Sequence, residues 1–186
     1  MSREPNRAAQ HVPPAAVWHP DDAALRTQVL RPYRDSARYL KSAEVHASAG
    51  EVAVIGEFSI GQSCYIDDTG HFNAVEFNIC YNQAAYYLFA KAVQERLVDS
   101  FAPWSLDDFW QQQLATMLIC RFESRFRRML DSRSFGGEVR IAEPVIRERP
   151  GKEPVMFVDM TVRFWDGDGD ACDGLVTAAV TNLPRA

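Results

Sequence analysis

The sequence predicts an α+β domain in which one long helix lies against a mostly antiparallel sheet. Three observations carry this expectation. From about Phe72 to Val98, apolar residues recur at spacings of three, four and seven, the period of a helix face. The last third of the chain alternates with period two instead, as in "PVMFVDMTVRFWD". Helical and strand-like runs also lack the βαβ alternation that a parallel sheet requires.

Taken in order, residues 1–20 read as a mobile arm, with Pro13-Pro14 and small residues throughout, and residues 21–186 as a single domain without internal repeats. "DDAALRTQVLRPY" sets Leu25, Val29 and Leu30 at helical spacing behind acidic residues, and Pro32 should stop that helix. "EVAVIGEFSI" is rich in β-branched residues and reads as a strand, with Gly56 a candidate bulge. Thr69-Gly70 breaks the chain before the long helix. Its predicted core stripe is Val75, Ile79, Tyr86, Phe89, Val93 and Leu97. Asn82 falls within that stripe, and a buried amide left unpaired costs about 1–3 kcal/mol, so it needs a partner or a ligand. In "PWSLDDFWQQQLATMLIC", Ser105 and Asp108 have capping-box spacing and predict a short helix. The remaining strands are "GGEVRIAEPVIRER", "PVMFVDMTVRFWD" and "GLVTAAVTNL", the last two joined by the hairpin signal "DGDGDACDG".

Composition narrows the function. The 186 residues are 47% hydrophobic and 24% charged, enough for one core and in keeping with a cytoplasmic protein. No apolar run approaches the roughly 20 residues of a membrane span, and the N-terminus has no apolar signal segment. The net charge of −5 argues against general nucleic-acid binding. Against that average, "CRFESRFRRMLDSR" concentrates Arg121, Arg125, Arg127, Arg128 and Arg133. Such a strip suits an anionic partner, or simply a solvated surface. The four cysteines form no C-x-x-C pair and are expected to be reduced thiols.

Cofactor motifs fail on inspection. "DGDGDA" lacks the glycine at position six and the glutamate at position twelve of a calcium loop, which leaves a turn. The histidines have no cysteine partners at zinc-ligand spacing, and neither a phosphate-binding glycine loop nor a G-x-S-x-G elbow is present. No metal or resident cofactor is expected.

What stands out is "YIDDTGHFNAVEFNICYNQ", residues 65–83, which loads a packing helix with hydrogen-bonding groups. Asp67, Asp68 and His71 surround a glycine before a helix N-terminus, whose free N–H groups and positive field polarise a carbonyl oxygen. The plainer reading is that Asp68 or Thr69 caps the helix and His71 lies on the surface.

The phrases "TGHFNAVEFNICYNQAAY", "IGQSCYI", "VLRPY" and "WSLDDFWQQQLATMLI" resemble the FcoT-type thioesterase-like family, from about Leu25 to the C-terminus. "TGHFNAVE" is its most specific part, and the phrase also resembles the wider hot-dog thioesterases. The resemblance implies a hot-dog fold, a long central helix wrapped by an antiparallel sheet, pairing as a homodimer or higher homo-oligomer with acyl-thioester sites between subunits. Members are described as long-chain acyl-CoA thioesterases, or as enzymes of isonitrile lipopeptide pathways that add glycine to the β-carbon of a 2-enoyl chain on an acyl carrier protein. Coenzyme A or phosphopantetheine would then arrive as part of the substrate.

Carried over residue by residue, the family's polar pocket groups match Tyr33, Tyr65, Asn73 and Asn82, and His71 and Glu76 belong to the same motif. Amide groups near Phe72 and Asn73 would hold the thioester oxygen as an enolate forms. His71 or Glu76 would take the proton from glycine's ammonium, with Tyr65 beside them. An arginine not identifiable from the sequence would hold glycine's carboxylate. Arg121, Arg125, Arg127 and Arg128 would receive the acidic carrier protein. Hydrolysis by water at the same site, and acyl-chain binding without catalysis, are the alternatives.

Overall fold

The computed structural model describes residues 16–48, 50–67 and 71–184. The expected break at Thr69-Gly70 and the arm up to residue 15 lie outside the described residues. The elements run β1 (Val17–His19), α1 (Ala23–Leu30), β2 (Leu40–Ser48), β3 (Glu51–Phe58), α2 (Ala74–Glu95), α3 (Leu106–Gln112), β4 (Met117–Phe126), β5 (Phe135–Ala142), β6 (Val145–Arg149), β7 (Lys152–Asp166) and β8 (Gly169–Val180). One antiparallel sheet has the order β1-β2-β3-β5-β7-β8-β4, with β6 pairing the free end of β7.

The sheet meets α2 across most of its width. On one side Gln83 reaches β2. In the middle Phe72 and Phe77 pack on Phe135 and Phe164 of β5 and β7. On the far side Phe77 and Tyr81 meet Phe122 of β4. This is the helix-in-sheet arrangement that the sequence predicts.

The local chemistry explains most element ends. Asp22 caps α1, its carboxylate accepting from the Leu25 amide at 2.9 Å, and Pro32 follows the last turn. Ser105 and Asp108 form the capping box of α3. The turn between β7 and β8 places Gly169 at φ 102°, a conformation that favours glycine. The long helix is shorter than its period suggests: Asn73 caps it, and Arg96 ends it in the left-handed region at φ 56°.

Several expectations are corrected. Val17–His19, placed in the arm, form a strand on β2, where Trp18 packs on His46. The segment after α3 turns into β4, beginning at "MLIC", a strand that the sequence reading does not include. Gly56 is not a bulge; the register irregularity lies on β2 between Leu40 and Ser42. Gly56 is there to make room, because a Cβ on it would sit 2.6 Å from Leu40 Cδ1. Likewise a Cβ at Gly137 would sit 2.4 Å from the Phe164 ring, and its absence lets the aromatic core lie on the sheet.

The predicted helix stripe meets the true core only in part: Phe89 and Val93 are buried as expected, and the residues before them are not. The fully buried face of α2 runs through Phe77, Cys80, Ala84 and Leu88, while Val75 is 45% exposed and Ile79, Asn82 and Tyr86 are half-buried. Asn82 is therefore not a buried amide in need of a ligand. Its Nδ2 donates to the Asn78 carbonyl at 2.8 Å, one turn back.

The buried amide that matters is Gln83, which is 0% exposed. Its Oε1 accepts from the Tyr39 and Leu40 amides at 2.9 and 3.0 Å, and its Nε2 donates to the Ala37 carbonyl at 2.6 Å. Three backbone groups at the entrance to β2 are satisfied by one side chain. Gln83→Leu strands all three, at about 1–3 kcal/mol for an unmade buried bond. Thermal denaturation is expected to show a loss of at least several degrees, and an unchanged midpoint would contradict this role.

Candidate active site

A cleft of about 240 Å³ opens at the N-terminal end of α2. Its polar lining includes Ser63, Asp67, His71, Glu76, Asp131 and Arg133. Two segments far apart in sequence build it. One runs from the end of β3 into the helix. The other is the loop between β4 and β5, joined to the first where the Ile60 amide donates to the Ser132 carbonyl at 2.8 Å.

The first wall is set by the helix cap. Asn73 Oδ1 accepts from the Val75 amide at 2.9 Å and the Glu76 amide at 3.4 Å. Its Nδ2 donates to the Tyr65 hydroxyl at 2.9 Å. The cap is thus Asn73, and the expected candidates Asp68 and Thr69 lie outside the described residues. One turn into the helix, Glu76 is only 2% exposed yet lines the cleft. Its carboxylate lies close enough to Tyr39 and Cys80 to help push both groups up, after burial as the main cause. Tyr39 in turn accepts from the Cys64 amide at 2.9 Å, which ties the loop before the helix to β2. His71 is exposed on the cleft's rim.

The second wall hangs on Asp166. Its carboxylate accepts from Arg128 at 3.0 and 2.5 Å, from the Asp131 amide at 3.0 Å and from the Asp168 amide at 2.9 Å. Arg128 also donates to the Gly169 and Met129 carbonyls. Four donated bonds hold the Asp166 carboxyl down at about 2, with the Arg128 hydrogen bond the largest cause. The loop carrying Asp131 to Arg133 is thus stapled to the β7–β8 hairpin.

The sequence-predicted residues divide into groups. His71 and Glu76 meet in the cleft, with the Tyr65–Asn73 pair at the helix cap beside it. Tyr33 and Asn82 do not join them. Tyr33 packs near Tyr86 and Cys80, where burial raises its hydroxyl, and Asn82 sits on the open flank of α2. The Phe72 side chain is a core ring packed on Phe77, Phe135 and Phe164, and offers a substrate only its backbone. Of the proposed docking arginines, Arg128 is spent on the loop staple, Arg121 pairs with Glu123 and Arg127 with Asp173. The strip's charge is largely cancelled within the chain; Arg125 and Arg133 are its members without an ion pair to a described residue. Asp131 and Tyr39 were missed, having no motif signal, and Ser63 was passed over within "IGQSCYI". Gln83 and Arg133 stood in view, one an amide in an apolar helix, the other the last residue of the basic run.

A long helix held in an antiparallel sheet, with a polar cleft at the helix's N-terminal end, defines a hot-dog domain of the acyl-thioester type. The chain belongs to the FcoT-like thioesterase domain family, whose profile matches residues 28–180. A (2E)-enoyl-ACP glycyltransferase of Streptomyces coeruleorubidus is 49% identical over 88% of this chain and 99% of its own length. A protein of the same name from Mycobacterium tuberculosis is 39% identical over 86% of this chain and 87% of its own. Among solved structures, a candidate thioesterase from Shewanella oneidensis aligns with 84% of this chain and 94% of its own at 9% identity and a TM-score of 0.47.

The Asp166 staple has a pH signature. A carboxyl whose folded value is depressed stabilises the fold above its unfolded value, here the usual 3.8, and loses that stabilisation as pH falls through about 2. Asp166→Asn is expected to cost about 1.5–3 kcal/mol at neutral pH, the scale of charge-assisted bonds. It should also flatten the fall in thermal midpoint between about pH 4 and pH 2. Parallel curves for the two proteins would contradict the assignment.

Proposed function

We propose that this chain adds glycine to the β-carbon of a 2-enoyl chain carried as a thioester on an acyl carrier protein. The observation that carries the reading is Glu76, a buried carboxylate one turn inside a helix N-terminus and open to a polar cleft. Its similarity to relatives with that activity in their names supports the same substrate class.

The electron flow assigns the roles. Glycine arrives as an ammonium, and Glu76 accepts its proton, with His71 on the rim passing that proton to or from solvent. The freed nitrogen attacks the β-carbon and a C–N bond forms. The electrons of the α,β double bond move toward the thioester, whose oxygen becomes an enolate. The positive end of α2 and the amides near Phe72 and Asn73 stabilise that charge. Reprotonation at the α-carbon returns the proton and completes the addition.

Room for the acyl chain comes from the half-open flank of α2. Val75, Ile79 and Tyr86 are only part-covered there, and Ile119 and Phe126 on the inner side of β4 are 39% and 40% exposed. β4 is also an edge of the sheet. A second copy seated on this flank would enclose the chain, so the working species in this reading is at least a dimer. Light scattering is expected to give twice the chain mass or more, and Ile119→Asp to shift it toward the monomer. A monomer for the unaltered protein would remove the enclosure.

Intact-mass spectrometry tests the chemistry. A 2-enoyl carrier protein incubated with the protein and glycine should gain the mass of one glycine, and Glu76→Gln should slow this about 10²-fold or more. Loss of the acyl group regardless of glycine would make the protein a thioesterase. No change at all would leave acyl binding without catalysis.

A further inference from the structure

We infer that Arg133 binds the carboxylate of the amino-acid nucleophile, and so is the residue that makes the cleft select an α-amino acid over a simple amine or water. The inference rests on the glycine-addition reading of the same site.

A carboxylate two bonds from a reacting nitrogen has to be held within the same cleft as the base. Among the residues lining the cleft, Arg133 is the permanent cation. Its neighbours in the basic run are engaged elsewhere: Arg121 with Glu123, Arg127 with Asp173 and Arg128 with Asp166. Arg125 stands on β4, in a strand register opposite Asp173, and does not line the cleft. The Arg133 guanidinium makes no ion pair or side-chain hydrogen bond with any described residue. What fixes it is backbone: its amide donates to Asp131 Oδ1 at 3.0 Å, in the loop that the Asp166 staple holds.

A second group points the same way. Ser63 Oγ lines the cleft, is shielded from solvent and has no hydrogen-bond partner among the described residues. A buried hydroxyl left so costs about 1–3 kcal/mol, which a bound acceptor would recover. A carboxylate is such an acceptor, taking two parallel bonds from a guanidinium and still having lone pairs for a hydroxyl. The opposite wall presents Glu76, to which the amine of the same small molecule turns. The cleft thus offers a cation and a hydroxyl for one end of glycine and a carboxylate for the other. Asp67 and Asp131 also line it, and their negative charge disfavours a loosely held anion. The carboxylate therefore depends on bidentate geometry rather than on general field.

Arg133 is exposed and its guanidinium makes no hydrogen bond or ion pair with a described residue, so its replacement should leave folding intact, checked by the melting curve. Arg133→Met is expected to raise KM for glycine at least tenfold while KM for the enoyl carrier protein stays within about twofold. Arg133→Lys should recover part of the loss. Glycinamide and methylamine, which lack the carboxylate, supply the decisive comparison. The unaltered protein should prefer glycine to both by tenfold or more, and Arg133→Met should erase that preference by losing glycine alone. If the unaltered protein adds glycine but Arg133→Met keeps both its KM for glycine and its preference, Arg133 is not the anchor. If the unaltered protein adds no glycine, the glycine-addition reading fails first, and this inference with it.

Discussion

The rotational setting of the central helix is what the site depends on, and one buried amide fixes it. Gln83 can satisfy the Tyr39, Leu40 and Ala37 backbone groups only if that side of α2 faces the entrance to β2. Glu76 lies seven residues earlier, two turns along almost the same face. Holding Gln83 against β2 therefore turns Glu76 inward, toward Tyr39 and the cleft. It also decides which side is left half-covered: Val75, Ile79, Asn82 and Tyr86 lie round the helix from that contact. A rotation of one residue, about 100°, would strand three backbone groups and drive Glu76 out of the cleft. A carboxylate is costly to bury. Here its position is tied to a contact that the fold cannot lose.

The opposite wall obeys a different rule. It is a loop, and loops hold functional groups in place only when something rigid anchors them. Asp166 does so by collecting Arg128 and the Asp131 and Asp168 amides on one carboxylate at the end of β7. The basic run is consequently two things at once. Arg121 and Arg127 sit in exposed ion pairs of the kind that contribute little to stability. Arg128 is structural, and Arg133, five residues later, is left free because the staple ends before it. Sequence shows five arginines of equal standing; the carboxylates that distinguish them come from β7, β8 and β4 itself, and only the fold brings the first two near.

That difference marks how far the sequence could be read. The α+β class, the long helix, the capping box at Ser105 and the β7–β8 hairpin were legible because each is a local signal of period or turn chemistry. The motif around His71 and Glu76 stands out in sequence because polar groups crowd a helix start, and the fold puts both residues on one cleft. Three strands were not. β1 is only three residues long, and β2, "LKSAEVHAS", carries one β-branched residue and is held in place by its neighbours rather than by propensity. β4 hides its alternation behind a register shift between Ile119 and Arg121, which puts its arginines out of step with its apolar residues. The face of α2 was misjudged for a related reason. Val75, Ile79 and Tyr86 continue the apolar period of α2 onto a flank that is only part-covered, beside a core face that carries Phe77, Tyr81, Leu88 and Phe89.

The same flank and cleft bear on how, in the proposed reading, one scaffold would add an amine instead of hydrolysing its thioester. Water needs no binding site, so a carboxylate beside a polarised thioester is by default a hydrolase. Diverting such a site requires that the amine be held close and aimed at the β-carbon rather than the carbonyl. Proximity of that kind is supplied by groups that fix the rest of the nucleophile. Glycine has only its carboxylate to be held by. Glu76, the base in the proposed reading, is buried beside Tyr39 and Cys80, and the packing that positions it also keeps most of it from bulk water. In the proposed reading, the hydrolytic scaffold therefore needs little new chemistry to form a carbon–nitrogen bond: an anchored loop that holds a cation, Arg133, across the cleft from Glu76.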